Sequence, residues 1–134
     1  MKSTVVPFRN GIMLSIAIGI AESNGLKKVF IANHGGDHTI YPDCRNEFIK
    51  AMDQASQAGT FVNVSIEAPY THITKGDIAK IGKELNIDFA ETWSCYKGEE
   101  HHCGVCGTCL ERKEALQEAG IKDTTIYSEN SSSK

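Results

Sequence analysis

The chain has 134 residues, 40% hydrophobic and 23% charged, which suffices for one modest core and so for one domain or part of one. Its 17 acidic residues outnumber 14 basic ones, for a net charge of −3, which argues against a domain built mainly to grip a phosphate backbone. The composition is neither poor in hydrophobic residues nor extreme in charge, so general disorder is excluded as well.

The elements alternate along the chain. Gly11 to Ser23 is apolar all round, which predicts a buried helix stopping near Gly25. Val29 to Ala32 is a continuous apolar run, as in a strand buried on both faces of a parallel sheet. A second helix is expected over Arg45 to Ala58, with Phe48, Met52 and Ala55 inward and Gly59 as its stop. Phe61 to Ile66 alternates apolar and polar residues and predicts a second strand. Thr74 to Asp77 has the pattern of a capping box, and Ile78, Ile81 and Leu85 would form the apolar face of the helix it opens. A last helix is expected from a capping box at Thr108 to Glu111, with Leu110, Ala115 and Ala119 inward and a stop at Gly120. The Glu129 to Lys134 tail is polar, and disorder is expected there.

This order predicts an α/β fold: a partial Rossmann-like parallel sheet with flanking helices and a C-terminal four-cysteine zinc knuckle. The expected division is an α/β nucleotide- and substrate-binding part over 1–92, a zinc-binding helical segment over 93–120 and a tail over 121–134. Two strands are few for such a sheet, so the chain reads as the second half of something larger, with apolar surface left to cover.

Of five cysteines, Cys44 stands alone and Cys95, Cys103, Cys106 and Cys109 crowd together as C-x7-C-x2-C-x2-C. Met1 to Asn10 lacks the features of a signal peptide, and the longest apolar run, Ile12 to Ala21, is about half of the ~20 residues that span a bilayer. A cytoplasmic location is therefore expected, with no membrane partner, and in a reducing compartment clustered cysteines bind metal more often than they pair. Four thiolates complete the tetrahedral shell of a structural Zn2+ and leave no open position for catalysis, while Gly98, Gly104 and Gly107 permit the turns. The competing readings are a Cys103-x-x-Cys106 redox pair, or His101 or His102 in place of one thiolate.

Other candidates are polar groups placed where the predicted elements meet. Arg9 and Asn10 stand at the start of the first helix, either as an anion site or as a plain Asn cap beside a solvated Arg. Beyond the first strand come His34, Asp37, Asp43 and Arg45, suited to reading the edges of a heterocycle and pairing with a carboxylate. His38 reads equally as a surface residue, and Cys44 as a small residue at a helix start rather than a nucleophile. Lys75 lies in a first helical turn, where it would oppose the dipole unless it reaches a phosphate. Trp93 would stack either on a purine-like ring or on the zinc knuckle.

The motifs Ser3-Thr4-Val5-Val6-Pro7-Phe8-Arg9-Asn10, His34-x-x-Asp37, Tyr41-Pro42-Asp43-Cys44-Arg45, Thr74-Lys75, Glu91 to Gly98 and Cys103-Gly104-x-Cys106-Gly107-x-Cys109-x-x-Arg112 resemble, in order, those of the 7-cyano-7-deazaguanine synthases. That family belongs to the PP-loop ATP pyrophosphatases and acts in queuosine biosynthesis. The resemblance implies a ligase that adenylates 7-carboxy-7-deazaguanine with ATP and Mg2+, forms an amide with ammonia and dehydrates it to the nitrile. It also implies zinc on Cys95, Cys103, Cys106 and Cys109; Arg9 and Asn10 near the nucleotide; His34, Asp37, Asp43 and Arg45 near the deazapurine; and Lys75 near phosphate. A homodimer is implied for the complete protein. The family's Ser-Gly-Gly-x-Asp-Ser phosphate loop is not found in this sequence. The expectation is therefore a truncated or split form, with the PP-loop half supplied by a partner chain or upstream, and no turnover by this chain alone. Two other classes compete: a non-catalytic zinc module or inactive fragment, and another PP-loop enzyme such as a tRNA-thiolating one. Acidity and the lack of a basic, aromatic-studded stripe count against a nucleic-acid partner.

Overall fold

The computed structural model describes residues 5–38 and 40–128, so the predicted tail and the motif residues Ser3 and Thr4 lie outside the described residues. The chain forms two compact units, residues 1–73 and 74–134.

The first unit is α/β. Helix α1 (Arg9–Ser23) leads into strand β1 (Lys28–Phe30), followed by short 3-10 turns at Gly35–Asp37 and Pro42–Cys44, helix α2 (Asn46–Gly59) and strand β2 (Ser65–Glu67). The strands pair in parallel with Val29 opposite Ile66. α1 closes as expected: Gly25 adopts φ 66°, the N–H of Leu26 reaches back to the Ala21 carbonyl and that of Gly25 to Glu22, a Schellman end only glycine takes without strain. Leu14, Ala21, Val29, Ile49, Val64 and Ile66 form the core, with Ala17, Ile18, Phe48 and Met52 packed against it. The Phe8 ring meets Phe48 edge-on at 5.6 Å.

Several expected faces turn out differently. α1 is not buried all round: Ile12, Met13, Ile16 and Ile20 are 50%, 61%, 55% and 58% exposed, because the two-stranded sheet covers only the face carrying Leu14 and Ala21. β1 is shorter than predicted and buries only Val29, while Phe30 is 68% exposed. In α2, Phe48 and Met52 pack on the core as expected, the fully buried residues are Ile49 and Ser56, and Ala55 faces solvent. Of the predicted second strand only Ser65 and Ile66 are strand residues: Asn63 takes φ 54° in a turn, and Phe61 is fully exposed.

The second unit pairs helix α3 (Lys75–Glu84) with helix α4 (Gly107–Glu118) around a 3-10 turn at Phe89–Glu91 and the cysteine segment. The Thr74–Asp77 capping box forms: the Thr74 hydroxyl accepts from the Asp77 N–H, and the Asp77 carboxylate accepts from the Thr74 N–H. The buried residues of α3 are Gly76, Ala79 and Gly82, whereas Leu85 is exposed. Small residues win that face because neighbouring groups press on the helix: a Cβ at Gly82 would stand 3.0 Å from Phe89 Cζ, and one at Gly76 would collide with the Glu118 carboxylate. α4 does not begin at a Thr108 box: Cys106 occupies the cap position, Gly107 is already helical, and Cys109, Arg112 and Leu116 are inward while Leu110 is exposed. The helix ends before Gly120, at φ 64°.

Candidate functional site

In the second unit the four clustered cysteines converge. Their Sγ atoms all lie within 4.8 Å of one another, and none is in a disulfide. Four Zn–S bonds of about 2.3 Å in a tetrahedron place the sulfurs about 3.8 Å apart, so a slight contraction seats the ion. Cys95, Cys103 and Cys109 are buried and Cys106 is half-buried. The backbone is arranged for thiolates: the N–H groups of Lys97 and Cys103 donate to Cys95 Sγ at 3.4 Å each, and that of Cys106 to Cys103 Sγ at 3.3 Å. Gly98 (φ 63°) and Gly104 (φ 71°) supply the turns.

Without metal the protons divide unevenly. The N–H groups of Cys103 and Lys97 hold Cys95 below the ordinary thiol range. Burial would raise Cys106, yet the Thr108 hydroxyl and the N–H groups of Tyr96 and Cys109 pull it down to about 5. Burial, then neighbouring Cys106, pushes Cys109 up to about 12. The donor set suits a structural zinc that replaces those protons and cross-links three chain segments.

His102 does not stand with the four sulfurs as a substitute ligand. Its Nε2 accepts from the Ser94 N–H at 3.1 Å, and its ring lies 4.2 Å from Trp93 and 5.9 Å from Tyr127. Burial, then the positive charge of Arg112, keeps its imidazole below the usual range. Trp93 stacks on this knuckle and donates its indole N–H to the Cys95 carbonyl at 2.8 Å. Arg112 is the structural residue that spacing does not reveal. Only 9% exposed, it donates from Nε to Thr125 at 2.7 Å, from one terminal nitrogen to Thr92 at 2.8 Å and from the other to the Phe89 carbonyl. Its one sequence signal is its place in the quoted closing motif. Lys113 donates to the Gly104 carbonyl at 3.0 Å and sits 4.3 Å over the Tyr127 ring. Lys75 pairs with Glu111, which answers the dipole conflict noted for it.

The first unit brings together a polar cluster. Asn10 lies inside the first turn of α1 rather than capping it, since Phe8 holds the cap position. Its backbone N–H donates to Asp43 Oδ2 at 2.9 Å, and its amide to the Asp43 carbonyl at 3.0 Å and to Cys44 Sγ at 3.2 Å. Buried Asn33 donates to the Cys44 carbonyl at 2.8 Å and to Thr71 at 3.2 Å, a role that no local spacing in the sequence signals. His34 is buried, accepts from the Gly36 N–H on Nδ1 and lies 3.2 Å from Asp37 through Nε2. Arg45 donates from Nε to the His38 carbonyl at 3.0 Å. Burial, then the charges of Asp37 and Asp43, raises the Cys44 thiol, which disfavours a thiolate nucleophile there. Arg9 is exposed, and its guanidinium makes no hydrogen bond or ion pair among the described residues.

Comparison with known proteins assigns this combination. The family model of queuosine biosynthesis protein QueC matches residues 1–120, spanning both the polar cluster and all four cysteines. The chain belongs to the QueC family. Curated relatives named 7-cyano-7-deazaguanine synthase include those of Porphyromonas gingivalis, 68% identical over 127 residues, Desulfotalea psychrophila, 56% over 127, and Brucella anthropi, 51% over 129. Each match covers 95% of this chain but only 58%, 58% and 56% of the relative, so the chain spans a little over half the length of these QueC proteins. Among the described residues no helix is long and apolar enough to cross a membrane.

Proposed function

We propose that this chain is the zinc-bearing, substrate-contacting portion of a ligase that makes 7-cyano-7-deazaguanine from 7-carboxy-7-deazaguanine, ammonia and ATP. The observation that carries the reading is a family match that takes in the four-thiolate knuckle and the polar cluster together. In this reading the substrate carboxylate attacks the α-phosphate of ATP, with Mg2+, and releases pyrophosphate, ammonia displaces AMP to give the amide, and loss of the amide oxygen with both N–H protons as water gives the nitrile. Cys95, Cys103, Cys106 and Cys109 would hold zinc, which would supply a structural cross-link between them and no open position for substrate. The protein's contribution to the chemistry is alignment and charge neutralisation.

The cluster has groups of the right kinds for those tasks. Asp43 is fixed by Asn10, and Asp37 by His34, so their carboxylates present acceptors to the N–H edge of a deazapurine. Arg45 spends only Nε on the protein; its terminal nitrogens make no hydrogen bond among the described residues and remain for the substrate carboxylate. Arg9 is the candidate for nucleotide phosphate, beside Asn10 at the start of α1. Lys75 would contact phosphate only by exchanging Glu111 for it.

The test is nitrile formation followed by mass spectrometry, with zinc-loaded chain alone and with the remaining part of the P. gingivalis relative joined ahead of it. Turnover is expected from the joined protein and not from the chain alone. A joined protein that stays inactive while the intact relative turns over under the same conditions overturns the reading. Steady turnover by the 134-residue chain overturns its incompleteness.

A further inference from the structure

Residues 123–128, the first part of the expected tail and past the span of the family model, fold back onto the cysteine segment. Tyr127 pairs with His102 in a parallel bridge: the His102 N–H donates to the Ile126 carbonyl at 3.2 Å, and the Ser128 N–H donates to the His102 carbonyl at 2.9 Å. His102 directly precedes Cys103, so the bridge grips one cysteine-bearing stretch by its backbone. The Tyr127 side chain packs against the cluster of Cys95, Cys103 and Cys109. Its ring meets His102 edge-on and lies beneath the Lys113 ammonium, and its hydroxyl donates to Asp123 Oδ2 at 2.6 Å. The other Asp123 oxygen accepts from the Thr125 N–H at 2.9 Å, and the Thr125 hydroxyl accepts from Arg112, one turn beyond Cys109 in α4. Two backbone hydrogen bonds among the described residues join this segment to the knuckle, so it opens at lower cost than the helices beside it.

We propose that residues 123–128 are a latch on the metal site, which must lift before a zinc held by the four thiolates is exchanged. Removing metal from a closed four-sulfur shell requires an incoming ligand to reach it and displace the sulfurs in turn. Each displacement forms one bond from the incoming ligand to zinc and breaks one Zn–S bond, whose electron pair stays on sulfur and takes up a proton from solvent. Cys106 is half-buried and open to such an attack, but its release leaves the ion on Cys95, Cys103 and Cys109, which are buried. Tyr127 packs on those three, and the bridge to His102 holds Tyr127 in place. The thiolates therefore set the affinity, and the latch sets the lifetime of the bound metal. The inference rests on zinc at the four sulfurs and does not require the proposed reaction.

Metal removal from the whole zinc-loaded chain tests it, with EDTA in rising excess and the zinc retained after desalting measured by metal analysis. In the unaltered chain the release rate should level off as EDTA rises, because opening of the latch then limits it. Tyr127→Ala should release zinc about tenfold faster or more at high EDTA, at a rate that keeps rising with EDTA. Ser128→Pro removes the N–H given to the His102 carbonyl and leaves the side chains on the cysteines in place. It should keep stoichiometric zinc and raise the plateau about fivefold, the worth of one hydrogen bond. A merely structural strap would lower zinc content or melting temperature while leaving the dependence on EDTA as it is in the unaltered chain, and that result overturns the latch. So does release from the unaltered chain in proportion to EDTA with no plateau. Where Tyr127→Ala no longer holds zinc, Ser128→Pro decides, and an unmoved plateau there overturns the latch. A chain that takes up no zinc overturns it too, and leaves the ligase reading to its own assay.

Discussion

Arg112 shows how much one side chain settles. Its guanidinium ties two separate stretches, Phe89 to Thr92 and Thr125, to α4 around the cysteine segment. Truncation empties the space of a buried side chain and leaves three half-buried oxygens without their donor. Arg112→Ala should destabilise the zinc-loaded protein by about 2–4 kcal/mol in denaturant titration. Arg112→Lys should recover less than half of that, because a point charge cannot serve three directions as the planar fork does. Wild-type stability in the lysine variant would show that charge alone matters. Sequence could suggest the four cysteines because metal ligation is local and its spacing is set by chain geometry. It could not reveal the buried role of Arg112, whose partners lie 13, 20 and 23 residues away.

At the scale of elements, type and order were readable, and inward faces were not. Period and stop signals depend on neighbours in sequence, so the helices end where Gly25 and Gly120 allow and the Thr74 box forms. Which face turns inward depends on what covers it. The predicted apolar face of α3 gives way to Gly76, Ala79 and Gly82, and α2 buries Ser56, whose hydroxyl is needed at the β2 edge. That edge offers a test of its own. Asp53→Ala removes the acceptor for the Ile66 N–H and should cost about 1–2 kcal/mol, with Ile66 the amide whose exchange quickens most. An unchanged Ile66 exchange rate would mean that Asp53 does not close the edge.

For the molecule as a whole, metal should govern one unit. Chelation is expected to release exchange protection over residues 93–112 while Val29 and Ile66 in the first unit keep theirs; a uniform loss would contradict a knuckle-centred role. The pH dependence has a definite sign. Ligation needs thiolates, and Cys109, held up to about 12, reaches neutral pH protonated, so zinc uptake expels at least its proton. Apparent zinc affinity should fall by about tenfold or more from pH 7 to pH 6, measured by competition with a chelator of known affinity. A flat profile would imply preformed thiolates. The polar cluster was only half legible: His34, Asp37, Asp43 and Arg45 announced themselves as polar residues after a strand, but the fold adds Asn33 and Thr71 from beneath.

The stacking of Trp93 against His102, with its indole N–H on the Cys95 carbonyl, has a practical side. It is the chain's sole tryptophan, so light absorbed at the red edge of the protein spectrum is re-emitted from the wall of the metal knuckle alone. Metal loading or stripping is therefore expected to change the emission of this one residue, which would follow occupancy in real time without a label.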